Sequence, residues 1–416
     1  MTNTNYSSFR WFLFITMIIV TATTSMSMIA PAPLIPALSK AMVGLDPGKV
    51  TWVTMGIFNF FLAVAAMLGG FLLDKLGAIK VFIGGLILIM IGALLMPVIG
   101  STYWGMMFIR LLQGFGTGPV MAAAPAIAAS YFPMKERSIV TGAQGFSVAL
   151  GIIIGLQVVP RLFASTGDAF SALRILAPVT VLGLILSLIA LFGPKIGQAA
   201  PVTADTGSED TGTKALFKKA LQNPMTWVAI ACFTLMSGIF QQFNSIVPSY
   251  VGADAPLGLG MGEIAAGNAA TYATIFFCIG SFASGFICEK LFKGNPRPVI
   301  ATGFLVGAIF AFSTKFAFIS STYGILVAVL IITGFFYSWV NPQAQAYIAK
   351  NYPQEITGKL GGLSMFVGIL IGSTIAIWVL GKALSATGNY MMPINIMACL
   401  CVVGFIVSLF LKQKKD

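Results

Sequence analysis

Twelve long apolar runs constrain this chain more than any other feature. They fall at approximately 11–37, 52–73, 81–100, 104–131, 139–162 and 170–193, then at 226–250, 265–287, 299–318, 323–350, 358–381 and 390–411. Each is close to the roughly 20 residues that cross a bilayer core as a helix. Only 9% of the chain is charged and 57% is hydrophobic, against about 25% charged in a soluble domain. No single soluble core can cover so much apolar chain, which excludes a soluble enzyme, a nucleic-acid module and a disordered protein. Membrane barrels are excluded too, because their strands alternate polar and apolar residues over short segments. The predicted fold class is an all-α polytopic membrane protein with 12 transmembrane helices.

The runs divide as six, a polar stretch, and six. That gives a first bundle over 1–193, a linker over 194–225 and a second bundle over 226–416. The net charge of +12 follows from where the cations fall. Arg10, Lys75, Lys80, Lys135, Arg137, Lys195, Lys214, Lys218, Lys219 and the tail lysines share one side. The opposite connections carry only Lys40, Lys49, Arg161, Arg174 and Lys382. Cations collect on the cytoplasmic side of membrane proteins, so both termini and the linker are expected in the cytoplasm, in an inner or plasma membrane. The polar N-terminus lacks a cleavage signal and reads as uncleaved. There is no histidine, and Cys232, Cys278, Cys288, Cys399 and Cys401 read as buried small hydrophobes. Neither a metal site nor a cofactor is expected.

The halves repeat. Gly70-Phe-Leu-Leu-Asp74-Lys75 after the second run matches Gly285-Phe-Ile-Cys-Glu289-Lys290 after the eighth. Gly114 and Tyr131-Phe132-Pro133 match Gly334 and Asn351-Tyr352-Pro353, and Gly151 and Gly155 match Gly368 and Gly372. The offset is nearly constant, as in a duplicated six-helix unit.

These residues resemble the Major Facilitator Superfamily over essentially the whole chain. Its loop between helices 2 and 3 reads G-x-x-x-D-[RK]-x-G-[RK]-[RK]. Gly70, Asp74, Lys75 and Gly77 match, Ala78 and Ile79 depart, and Lys80 restores one basic residue. The helix-4 pattern R-x-x-Q-G-x-G stands complete as Arg110, Gln113, Gly114 and Gly116. The resemblance implies two bundles about a pseudo-two-fold axis, a substrate cavity near the midplane and a monomer. It also implies a cytoplasmic lock through Asp74, for which Arg137 is the expected partner, with Glu289 and Lys290 as a looser copy. The alternative is that Asp74 and Lys75 are solvated stop-transfer charges.

Charges inside a membrane are costly and read as functional. Arg110 is the clearest, either tying helix 4 to carbonyls of helix 1 or touching substrate. Lys315 reads as a snorkelling residue of helix 9. In the resembling family helices 1, 2, 4, 5, 7, 8, 10 and 11 line the cavity, and polar residues concentrate on several of these. Tyr337, Asn341 and Gln345 are spaced by four and are expected to share a stripe of helix 10. With Arg110, Gln144, Gln241 and Asn244 they form the expected substrate-binding set, set against a role as interhelical glue.

Every Asp and Glu falls in a loop or at a predicted helix end, so no mid-span carboxylate is available to relay protons. Drug/proton antiporters of the superfamily carry a buried acid and a G-P pair in helix 5, where this chain has Gly151-Ile-Ile-Ile-Gly155. The reading is a secondary transporter of a small organic anion, carboxylate or sulfonate, acting by alternating access as an exchanger, a facilitator or a symporter. Efflux of hydrophobic drugs is the rival. An enzyme or receptor is the reading of another class, and the chain offers it no nucleophile–base pair.

Overall fold

A computed structural model describes residues 8–121, 123–133, 136–193 and 211–412. Among them eleven helices are long and apolar enough to cross a membrane. A twelfth, Tyr103–Met121, is less apolar because Arg110, Gln113 and several glycines interrupt it. The helices are α1 (Phe9–Ile29), α2 (Ile57–Leu76), α3 (Ala78–Ile99), α4 (Tyr103–Met121), α5 (Arg137–Thr166) and α6 (Leu176–Phe192). A linker helix, Thr211–Gln222, follows. Then come α7 (Pro224–Gly252), α8 (Gly262–Leu291), α9 (Pro296–Ser313), α10 (Tyr323–Tyr337, resuming at Val340–Asn351), α11 (Gln354–Val367, continuing to Thr387) and α12 (Met391–Ser408).

Two compact units emerge from the packing. One is built on α1 to α6. The other is built on α7 to α12 and takes in residues 32–39 and 46–52. In the first, α1 packs on α5, α2 on α4, and α3 on both α4 and α6. In the second, α7 packs on α11, α8 on α10, and α9 on both α10 and α12. The pairings are the same under the sequence repeat, so the duplication is structural.

Glycines explain why these pairs approach so closely. A Cβ on Gly114 would lie 2.7 Å from the Phe58 carbonyl oxygen of α2, and one on Gly334 would lie 2.7 Å from the Ala273 carbonyl oxygen of α8. These are equivalent contacts in the two halves. A Cβ added to Gly151 would lie 2.0 Å from the Ala22 carbonyl oxygen of α1, and one added to Gly372 would lie 2.2 Å from that of Thr234 on α7. Apolar lipid gives helices no hydrophobic reason to associate, so small residues that bring backbones into contact carry the association. The loop glycine Gly77 works differently. It closes α2 with φ +80° and ψ 156° while its N–H bonds the Leu73 carbonyl, an extended positive-φ conformation that a residue with a Cβ adopts at a cost of about 1–3 kcal/mol.

Local signals start the helices. Asn223 and Asn295 each accept from an N–H two residues on, and Pro224 and Pro296 supply the first helical residue, for which a missing N–H is no loss. α1 stops before Pro31, and a short 3₁₀ turn at Ala32–Leu34 leads into the helix Ile35–Ala41. Of the cysteines, Cys232, Cys288 and Cys401 are buried, Cys278 is half-buried and Cys399 is exposed. The expectation of uniform burial therefore fails at Cys399, whose helix α12 turns that face outward.

Two glycines of α5 separate packing from propensity. Gly145 has nothing within 4 Å of an added Cβ, so Gly145→Ala should be neutral or stabilising by up to about 1 kcal/mol. Gly151→Ala should lower the thermal midpoint in detergent by several degrees and reduce folded yield. Equal behaviour of the two variants would contradict the packing account.

Candidate functional site

Arg110 is the largest fully buried side chain among the described residues. Its guanidinium donates to the main-chain carbonyls of Thr54, Ser27 (2.9 Å) and Met28 (3.2 Å), and to Gln113 Oε1 at 2.6 Å. The Phe58 ring centroid lies 4.4 Å away, a favourable site for a desolvated cation. Thr54 belongs to a π-helical stretch, Trp52–Gly56, leading into α2. Wide turns of this kind disturb the regular ladder, and here one of their carbonyls takes the guanidinium. Of the two roles open to Arg110 from the sequence, this geometry matches the structural tie, holding α1, α2 and α4 together. Gln144, half-buried on α5, donates to the Met121 carbonyl.

In the second unit the polar residues concentrate on α7. Much of that polarity is consumed by helix contacts. Gln242 donates to the Ala376 carbonyl of α11 at 3.0 Å, Ser373 donates to that of Ser237 at 3.2 Å, and Ser249 donates to that of Ala32 at 3.0 Å. Asn244 turns back on its own helix, to the Phe240 carbonyl at 2.8 Å. Gln242 Oε1 is left without a partner, and so are the buried Thr234 Oγ1, Gln241 Nε2 and Ser245 Oγ. The spacing of the last three, seven and four residues, puts them on one face of the helix. An unpaired buried polar group costs about 1–3 kcal/mol, so this face is poised for something that supplies acceptors and donors. Nothing in the sequence singles out Thr234, because a threonine in a helix commonly bonds its own preceding turn.

The expected stripe on α10 does not form as one surface. Pro342 has no N–H and its ring crowds the carbonyl four residues earlier, so the helix breaks at Ser338–Trp339. Tyr337 is buried, Asn341 is exposed and Gln345 lies between. Tyr337 packs 5.1 Å from Phe243 and 5.3 Å from Phe277, with Phe240 5.1 Å from Phe277. An aromatic cluster therefore stands beside α7. The second π-helical stretch, Gly368–Ile375 in α11, packs on the same helix. It carries no sequence signature beyond its two glycines.

At the helix ends, the side chains of Asp74 and Arg137, with Gly70, lie outside the described residues, so the expected lock falls there. Lys75 is exposed beside the Phe71 ring. In the second half Glu289 pairs with Lys350 at 2.6 Å, while Lys290 is exposed. The partner thus comes from the end of α10. Glu136 pairs with Arg10 at 3.1 Å. Lys315 lies beyond the last turn of α9, not within it, donating to Asn395 Oδ1 at 3.0 Å above the Phe312 ring. The predicted span ran too far because the residues after Ser313 are still mostly apolar. In the second unit Asp46 caps the short helix Pro47–Thr51 and accepts from Ser385 Oγ of α11, while Gly48 and Gly381 meet backbone to backbone. Burial pushes the Asp46 carboxyl up, but the bonds from Ser385 and Lys49 outweigh it and hold the group below its ordinary range.

The profile of the Major Facilitator Superfamily matches residues 13–294 and 254–416, and the chain belongs to that superfamily. It is a multi-pass membrane transporter. Among its relatives, the cis,cis-muconate transport protein of Acinetobacter baylyi is 26% identical over 365 residues, spanning 85% of this chain and 83% of that protein. The hexuronate transporter of Bacillus subtilis is 23% identical, spanning 89% of this chain and 86% of its own. A D-xylose–proton symporter shares the fold with a TM-score of 0.74 at 16% identity, over 98% of each chain.

Two predictions test this geometry. Arg110→Lys should leave at least one buried carbonyl unpaired and lower stability by about 1–3 kcal/mol, read as a lower thermal midpoint. An unchanged midpoint with abolished transport would instead place Arg110 on the substrate. Asp46 is the depressed-carboxylate case: its stabilisation of the 46–52 contact is present above the unfolded-state value and is lost as pH falls through the folded one. Hydrogen-exchange protection across 46–52 should therefore fall only below about pH 4, and at higher pH in Ser385→Ala.

Proposed function

We propose that this protein is a secondary transporter of small organic anions, carboxylates foremost, working by alternating access in an inner or plasma membrane. The observation that carries this reading is that two relatives matching most of the chain are named for carboxylates, muconate and hexuronate. A shorter match points the same way: over 114 residues the chain is 30% identical to a probable chloroplastic anion transporter of Arabidopsis thaliana.

The site supports it chemically. Gln241 offers an unpaired N–H donor and Ser245 an unpaired hydroxyl, and neutral donors of this kind can hold a carboxylate without a full cation. The neighbouring aromatics Phe240, Phe243, Phe277 and Tyr337 suit an unsaturated or ring-bearing carbon skeleton. Asn341 and Gln345, beyond the break in α10, extend the candidate polar surface. Among the described residues no Asp or Glu stands in the interior of a span, so neither a buried cation-holding acid nor a mid-span proton relay is on offer. Exchange or facilitated movement of the anion fits that arrangement. The cation distribution supports both termini on the cytoplasmic side, and Glu289–Lys350 is the proposed rim contact of the second half. Asp74, Lys75, Gly77 and Arg137 are the proposed gate of the first.

Counterflow uptake in proteoliposomes tests the reading, with labelled cis,cis-muconate, glucuronate, an alkylsulfonate, xylose and a hydrophobic cation, with and without a pH gradient. Carboxylate exchange that ignores the gradient is the expected result. Uptake of the cation in place of the carboxylates would overturn it.

A further inference from the structure

A second site lies well away from the polar face of α7. Where the linker helix joins α7, the second unit forms an open cleft of about 700 Å³, within the range of small-molecule sites. Lys219 of the linker helix and Lys412 beyond α12 line it, together with Ala220, Met225, Asn351 and Ile356. No carboxylate is among the described lining residues. The walls are fixed: Tyr347 Oη donates to the Lys412 carbonyl at 2.7 Å, and Thr226 Oγ1 donates to that of Ala220 at 2.6 Å.

Its setting specifies the ligand further. Trp227, exposed on the first turn of α7, donates its indole N–H to the Leu221 carbonyl, the disposition of an aromatic anchor at a membrane–water interface. The linker helix is amphipathic, with Ala220 buried and Lys214, Lys218 and Lys219 exposed, as in helices that lie in the interfacial plane. A cleft at that depth, with two cations and an apolar floor, matches an amphipathic anion. We propose that it holds the head group of an anionic phospholipid, the phosphate between Lys219 and Lys412 and the glycerol carbons against Met225 and Ile356. The lipid would brace the linker helix against α7 and the end of α10, and so tie the linker to the surrounding leaflet. This role is independent of which substrate the transporter moves.

The test is native mass spectrometry of the full-length protein, wild type beside K219Q/K412Q, titrated with phosphatidylglycerol or phosphatidylcholine. Each basic residue near an anionic surface contributes about a fivefold factor, so losing two should weaken retention about 25-fold. Wild type should retain one more phosphatidylglycerol than the variant, with no difference for phosphatidylcholine. Millimolar inorganic phosphate or glycerol 3-phosphate should not displace it. The two lysines are exposed, so the variant's thermal midpoint in phosphatidylcholine should match wild type, which establishes that it is folded. Equal phosphatidylglycerol retention by both proteins would overturn the proposal, and displacement by free phosphate would assign the cleft to a soluble anion instead.

Discussion

A guanidinium with no carboxylate opposite it is costly inside a membrane, and the first unit is organised around satisfying one. Arg110 spends its donors on carbonyls of α1 and of the turn into α2, and on a glutamine one turn along its own helix. Each carbonyl it takes lies near a helix end or in a widened turn, where the regular i→i−4 ladder leaves partial negative charge. One side chain thereby fixes three helices. The second half has no such group: the repeat places Leu330, buried and apolar, where the first half has Arg110. There the same helix pairing rests on glycine contacts and on the ring cluster around Tyr337.

That asymmetry gives the duplicated halves different work. The glycine approaches are shared, Gly114 on α2 and Gly334 on α8, because backbone contact is what holds helices together in lipid. The polar groups are not shared. The first half uses its charge internally; buried neutral groups stay unpaired in both, Ser27 Oγ and Gln113 Nε2 beside Arg110 in the first and several on α7 in the second. Unpaired groups are destabilising in the empty protein and become favourable when a ligand meets them, which is how a transporter can bind without binding too tightly. On the proposed function, recognition of an anion would fall to amide and hydroxyl donors, with no bare cation. Desolvating an anion against such donors calls for several of them, and α7 concentrates them on one face.

Much of this was legible in the sequence, for identifiable reasons. Helix number, the repeat and the superfamily follow from apolar length and from glycines, and both are enforced locally by the bilayer. The turn after α2 was legible at Gly77, whose positive φ only glycine adopts readily. The break in α10 was foreseeable from Pro342, yet spacing by four suggested a continuous stripe through Tyr337, Asn341 and Gln345. The π-helical stretches were not legible, since they arise from how α2 and α11 seat against their neighbours. Nor could sequence separate Gln242, which ties α7 to α11, from Gln241, which does not. Two adjacent glutamines differ only in the direction the helix points them.

The most direct test compares anion binding and stability in Gln241→Leu. Leucine is smaller in polarity but similar in length, and it removes the unpaired Nε2 without touching the tie made by Gln242. Equilibrium binding of labelled cis,cis-muconate should weaken by about 10- to 100-fold, as for loss of one hydrogen bond to a charged group, while the ligand-free protein unfolds at the same temperature or higher. Undiminished binding, or a ligand-free protein that is markedly less stable, would contradict the assignment of α7 as the recognition face.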